Sequence, residues 1–352
     1  MIVKNNPQNN EVNSNEISEN KRDPQVIHLN YERAILSRRI SSSILDFFVF
    51  AILFVIFFVS TRAIIQNDSR YKEVQNASDE IKLNCGLYYK NDKNEIKNLY
   101  EFYEVSSSTP ESSKRIFYRN GIENFIVYNE ENSDTHVIDI QKEWDDFRLG
   151  LVVNGKKFFE KVYDENDKSV YTIEEVKGIS IAEFNKYAYG SFITSNCCGA
   201  YIYQNFSKCL DATRLSSNML LGVEIPISLV FSSVLTFLVP PLIFKRGRQT
   251  LGKLLMRCGL VDKNYYHVGT KLFLLRFAII FILEIALSFV TFGIPLLISA
   301  LFLTFTKKHQ PLHDFILKID CVETSYDKIY YSKTELVDDM TKEHEHIDFR
   351  LL

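Results

Sequence analysis

The apolar residues of this chain are gathered, not spread. Three stretches hold them, residues 44–65, 219–244 and 272–306. From Phe47 to Val59 every residue is apolar, so a helix there keeps no face for water, and a core helix of a soluble protein is the weaker reading. About 20 such residues are enough to cross ~30 Å of hydrocarbon as a helix. The third stretch is broken at Thr291-Phe292-Gly293-Ile294-Pro295. Glycine permits unusual backbone angles there and proline interrupts a helix. The pattern therefore predicts an α-helical multi-pass membrane bundle of about four spans: one at 44–65 within a segment of residues 33–65, then others at about 219–244, 271–289 and 294–307. The last is short, so the hairpin it closes either crosses twice or re-enters without fully crossing.

Between and around the spans the chain is polar. Residues 1–32 are rich in asparagine and charge and carry no apolar core. They read as a disordered head, and no signal-peptide h-region precedes the first span, which would act as an uncleaved anchor. Residues 66–218 are long enough for a domain of their own. Two Asn-Gly steps, at 120–121 and 154–155, lie between strand-like runs, RIFYRNGIENFIVY and LVVNGKKFF, and tight hairpin turns favour that dipeptide. HVIDI (136–140) and SVYTIEEV (169–176) also look like strands, and residues 180–193 like a helix. The insert is therefore expected to be β-rich or α+β. Residues 219–322 hold the remaining spans, and 323–352 form a tail.

Charge orders these parts. Whole-chain averages, a net charge of −3 and a mean hydropathy of −0.08, would suit a soluble protein only because they mix greasy spans with polar segments. Arg33, Arg38 and Arg39 precede the first span; Lys245, Arg246, Arg248, Lys253 and Arg257 follow the second; Lys271, Lys307 and Lys308 flank the last apolar region. Positive loops stay in the cytoplasm, which puts both termini inside and residues 66–218 outside. Arg62 and Arg70 argue the other way but stand beside Asp68 and Glu73. The outer segment carries 25 Asp and Glu against 19 Lys and Arg, a sign opposite to that of the 245–271 loop. The expected location is a plasma or cell membrane.

Cysteines divide along the same line. Cys85, Cys197, Cys198 and Cys209 fall outside, where an oxidising space allows two disulfides in three pairings. Cys197 and Cys198 are adjacent and bond each other poorly, so bridges from them to Cys85 and Cys209 are expected. The bland alternative is four buried thiols. No histidine stands near them at zinc-ligand spacing, and no metal or other cofactor is expected. Asn67, Asn76 and Asn205 each begin an Asn-x-Ser triplet, unremarkable in so asparagine-rich a chain.

Three polar stretches meet the spans: RRISSSILDFF (38–48), TLGKLLMRCGLVD (250–262) and QPLHDFILKIDCV (310–322). Arg39 and Asp46 are seven residues apart, ~20° apart around a helix and ~10 Å apart along it, too far for a direct bond. Both would meet partners on other segments, and with Arg276 and Asp314 they could form a charged cluster near the cytoplasmic surface. Charges at such a boundary also clamp helix ends without further purpose. Glu284 is different: it sits inside the third apolar stretch, where an acidic group costs ~2.5–3.5 kcal/mol and should face the bundle or a wet cavity. Glu224, in LLGVEIPISLV, lies nearer the outer end of its span, and Pro226, Pro240 and Pro241 predict kinks in it.

Arg39 with Asp46, then TLGK with GLVD and Arg276, then LHD, in this order around spans, resembles the RDD family of membrane proteins. The resemblance covers residues 33–65 and 219–322 and leaves 66–218 as a large insertion. It marks Arg39, Asp46 and Asp314 as the family's arginine and two aspartates, with Gly252, Lys253, Arg276 and His313 in support. The sequence departs from the pattern after LHD, where a threonine is missing from FILKIDCV. The likeness implies a small multi-spanning module for which transport, including cation/proton exchange, has been proposed. Fold likeness alone does not give function. Two classes stay open: a transporter of an ion or small solute through the charged residues of the spans, or a membrane-anchored protein whose outer domain binds a ligand or partner. Beyond the lipid bilayer, a second copy of the chain is a further expected partner, and nothing points to nucleic acid. With no Walker loop, HExxH or GxSxG, an enzyme is not expected.

Overall fold

The structure, a computed structural model, describes residues 31–104, 108–164, 167, 169–325 and 328–348. The polar head expected over 1–32 lies outside these but for Tyr31 and Glu32. The chain divides into two compact units, one of residues 1–60 with 225–352, the other of residues 61–224.

Among the described residues, three helices are long and apolar enough to cross a bilayer: α1 (Leu36–Asn67), α2 (Ser207–Ile243) and, after a short helix α3 (Leu251–Leu255) and a strand β1 (Cys258–Val261), α4 (Thr270–Val290). A fourth apolar helix, α5 (Ile294–Phe305), has only 12 residues. At 1.5 Å per residue it reaches ~18 Å, short of the hydrocarbon core. Between α4 and α5, Phe292 (φ 52°) and Gly293 (φ 89°) turn the chain through left-handed backbone, and Pro295 opens the next helix, as the broken apolar stretch predicts. The prolines of α2 leave their mark too. Wider π-type turns at Leu220–Glu224 and Val234–Leu238 directly precede the segments carrying Pro226 and Pro240-Pro241, absorbing the hydrogen bonds that those residues cannot make.

The first unit is tied at the helix ends. After α5 comes α6 (Leu312–Leu317), then β2 (Asp320–Glu323), which pairs antiparallel with β1 in the register Cys258↔Glu323 to Val261↔Asp320. Arg33 bridges to Val322, Glu323 N–H donates to Glu32 C=O, and Leu260 N–H donates to Gly247 C=O. The entry to α1, the exit from α2, the entry to α4 and the return from α5 therefore meet at one ribbon. Ala34, Leu260, Val268, Phe273 and Ile319 bury themselves around it.

The second unit corrects the β-rich expectation: its described residues are mostly helical, with three isolated two-stranded hairpins among them. Asn154-Gly155 does turn one, pairing Val152–Val153 with Lys156–Lys157, and the strand expected at 169–176 appears as Tyr171–Glu175, paired with Phe159–Tyr163. Residues 180–193 are helical, as expected, with wider turns from Phe184. RIFYRNGIENFIVY, however, lies inside the helix Glu111–Asn132. Its buried residues Tyr118, Ile122, Phe125 and Asn129 step by four, three and four, a helical face that the strand propensities hid. Gly121 is there for packing, not turning: a Cβ on it would meet Leu99 Cδ2 at 2.2 Å. HVIDI is no strand either; Ile138 N–H donates to the Asn205 side chain, and Ile140 starts a helix.

An aromatic core holds this unit, with Tyr118, Phe125, Trp144, Phe158, Phe159, Phe184 and Phe192 at its centre. Cys85, Cys197, Cys198 and Cys209 are buried in that core as free thiols, which overturns the expected bridges. They act as small apolar side chains. Burial pushes the thiols of Cys85 and Cys198 up to about 12. Asn205, one of the three triplet asparagines, is fully buried, and its amide donates to Asn129 and to Ile138 C=O.

Candidate functional site

Asp46 explains itself through α3. Its carboxylate accepts the Thr250 hydroxyl at 2.5 Å and the Gly252 N–H at 2.8 Å. Thr250 is also the N-cap of α3. A carboxylate is favoured at a helix start, where N–H groups lack partners. Gly252 permits the approach: a Cβ there would meet Ser42 C=O at 2.2 Å and Asp46 Oδ1 at 2.9 Å. The aspartate at the threshold of the first span thus docks the TLGK turn onto α1.

Arg39 does another job. Its guanidinium, 4% exposed, donates to four carbonyls, those of Ala34, Lys308, His309 and Cys321, at 2.5–3.0 Å. It clasps the start of α1 to the chain leaving α5 and to β2. As the helix geometry requires, Arg39 and Asp46 do not bond each other; each meets other segments. The expected four-member charged cluster is not formed, because Arg39 is satisfied wholly by carbonyls.

Arg276 and Asp314 do pair. Arg276 Nε donates to Asp314 Oδ1 at 2.6 Å and Nη2 approaches Oδ2 at 3.4 Å, with side-chain exposures of 2% and 3%. Despite its burial, the Asp314 carboxyl is held down at about 2, chiefly by the Arg276 charge and then by His313. His313 extends the set. Its Nε2 lies 2.8 Å from Arg276 Nη2, and its Nδ1 lies 2.9 Å from Glu284 Oε1. A guanidinium can only donate. Nε2 therefore accepts, Nδ1 carries the hydrogen, and that hydrogen points at Glu284. The Ser299 hydroxyl donates to the same Oε1 at 2.8 Å. The result is one buried run of polar groups, Ser299, Glu284, His313, Arg276 and Asp314, across α4, α5 and α6.

The sequence reading put Glu284 inside its apolar stretch, deeper than LHD on one polar path, and named no contact between them. The structure joins them, because α5 is too short to carry the following residues away from α4. Glu284, His313 and Arg276 line one cavity with Asp46, Thr250 and Lys253. It has a volume of ≈ 420 Å³ and is walled by Phe47, Phe50, Phe237 and Phe289. Ser299 and Phe237 escaped sequence reading, and Thr250 was read only as part of TLGK; its N-cap position, just before an apolar turn, could have marked it further.

In the other unit, Glu224 is buried and paired with Arg62 at 3.8 Å. The arginine that counted against the topology thus faces the acid within α2.

The family model that matches the chain is that of the RDD family, over residues 193–318. The matched region holds Gly252, Lys253, Arg276, Glu284, His313 and Asp314 and leaves out α1, with Arg39 and Asp46. It begins inside the segment expected to be an insertion. No curated protein and no solved structure matches the chain.

Proposed function

We propose that this chain, whose residues 193–318 match the RDD family and whose helices α1, α2 and α4 are apolar and long enough to span a bilayer, exchanges protons for a small solute through the cavity beside Glu284. One observation carries this reading: a carboxylate in the middle of an apolar helix faces a cavity while its Oε1 is held by a histidine N–H and a hydroxyl. Oε2 is left to take a proton or a solute. Intramembrane acids buried towards a cavity are the usual carriers in such exchange. Lys245, Arg246, Lys271, Lys307 and Lys308 lie on the segments gathered at the ribbon, and the positive-inside rule turns that end to the cytoplasm. Both termini follow it, residues 61–224 face outward, and α5 returns to the side from which α4 set out.

Glu284→Gln keeps shape and removes the titratable proton. In proteoliposomes the variant should insert normally and lose pH-driven flux. A second reading rests on the separate aromatic core of residues 61–224: an outer unit that binds a ligand or partner, with the spans as anchor. A wild type with no proton-coupled flux would favour it.

A further inference from the structure

The charges around the cavity select its cargo. Asp46 comes from α1, Lys253 from α3, Arg276 and Glu284 from α4, and His313, backed by Asp314, from α6. Neither α5 nor the part of α2 over residues 225–243 contains a titratable residue. With neutral His313, three carboxylates stand against two cations, a net charge of −1. Net charge in a low-dielectric site is expensive. One proton on Glu284 brings the site to zero, and so does one monovalent cation with Glu284 ionised; the two together overshoot.

The walls decide which cation. Both oxygens of Asp46 are taken by α3, and Oε1 of Glu284 by His313 and Ser299. A hard metal ion wraps itself in about six oxygens. Here it would find one free carboxylate oxygen and a few hydroxyls, and among the described residues no group of three or more His, Cys, Asp or Glu side chains could hold it. A ≈ 420 Å³ space is also far larger than an ion and falls in the range of organic-ligand pockets. Four phenylalanines are among its walls, with Phe50 and Phe237 at a centroid distance of 6.1 Å. Aromatic faces attract cations that shed water easily.

We infer that the solute is a monovalent organic cation, an ammonium or phosphonium with an apolar body, held between the ring walls and Glu284. This rests on the exchange reading above and names its substrate class. When the cation enters, the O–H bond of protonated Glu284 breaks, the proton passes to water and the carboxylate takes the cation as partner.

The test is calorimetric binding of tetraphenylphosphonium to the purified full-length protein in detergent, in two buffers of different ionisation enthalpy. Saturable binding should release close to one proton per cation at pH values where Glu284 is protonated. Millimolar sodium should not displace it. Glu284→Gln should weaken binding at least tenfold and abolish proton release, and Phe237→Leu should weaken it while sparing that release. Absence of saturable binding by folded wild type, displacement by millimolar sodium, or undiminished binding by Glu284→Gln would each overturn the inference. Because binding is read without transport, an exchanger of some other solute would fail this test yet keep its flux. A binder of organic cations with no flux would instead fail the exchange reading.

Discussion

Asp314→Asn keeps the outline of the side chain and deletes its charge. The pair it breaks has side-chain exposures of 2% and 3%. Removing one partner of a buried pair costs about 3–5 kcal/mol, whereas an exposed i,i+4 pair such as Arg119–Glu123 contributes only ~0.3–0.5 kcal/mol. The structure ranks the single variants. Without Asp314, Arg276 still meets Glu284 through His313, so the loss should fall at the lower end, near 3 kcal/mol. Without Arg276, two carboxylates remain and no cation bonds either, so Arg276→Met should be the worse. The double variant Arg276→Met/Asp314→Leu should cost less than the sum, because both charges leave together. The pH dependence has a definite sign. Folding lowers the Asp314 carboxyl from 3.8 to about 2. Its contribution, roughly 2 kcal/mol at 1.36 kcal/mol per pKa unit, is full above pH 4 and is lost as pH falls through about 2. The gap between wild type and Asp314→Asn should therefore narrow below pH 4. Trp144 lies in the other unit and cannot report this. Pulse labelling of the buried Cys258 and Cys321 along a denaturant series, by alkylation at neutral pH and by a dipyridyl disulfide in acid, quantified peptide by peptide, can. A cost under 1 kcal/mol for Asp314→Asn, or an Arg276→Met milder than Asp314→Asn, would refute the reasoning.

Gly252→Ala should undo the TLGK dock, lowering stability by about 1–3 kcal/mol through overpacking, and Asp46→Asn should cost less in the same alkylation series because it keeps one acceptor. In the other unit, Gly121→Ala should destabilise by about 1–3 kcal/mol as its Cβ drives into Leu99, while Gly155→Ala, with open space but φ 76°, should cost about 1 kcal/mol; tryptophan emission from Trp144 measures both. Intact mass after alkylation in denaturant without reductant should rise by six adducts; a rise of four or two would mean disulfides. In native protein Cys85 and Cys198 should stay unlabelled at neutral pH, since burial keeps them as thiols.

What could be read from the sequence depended on the range of the cause. The three long apolar helices, the Phe292-Gly293 turn and the Asn154-Gly155 hairpin follow from residues within one element, and all were legible. The helix over 111–132 was not, because aromatic and β-branched residues at Phe117, Tyr118, Ile122, Phe125, Ile126 and Val127 mimic a strand and only the core picks the helical period. Within the site, Asp46, Arg276, Glu284, His313 and Asp314 stood out as charges beside or inside apolar runs. Which of them would meet was hidden, since it turns on the length of α5. The acceptors of Arg39 were hidden completely: they are four backbone carbonyls, and a carbonyl has no letter in the sequence.

That last contact bears on how the protein is made. Arg39 is synthesised early, and the carbonyl that closes its clasp, at Cys321, comes 282 residues later. Until then the arginine at the mouth of the first span has no fixed place, although the whole of residues 61–224 and the remaining apolar helices must emerge and insert in the meantime. Release of the bundle from the insertion machinery in its locked form must wait for β2. Chains stopped before Asp320 would carry every span and the whole RDD match, yet remain open at the ribbon and exposed to quality-control proteolysis.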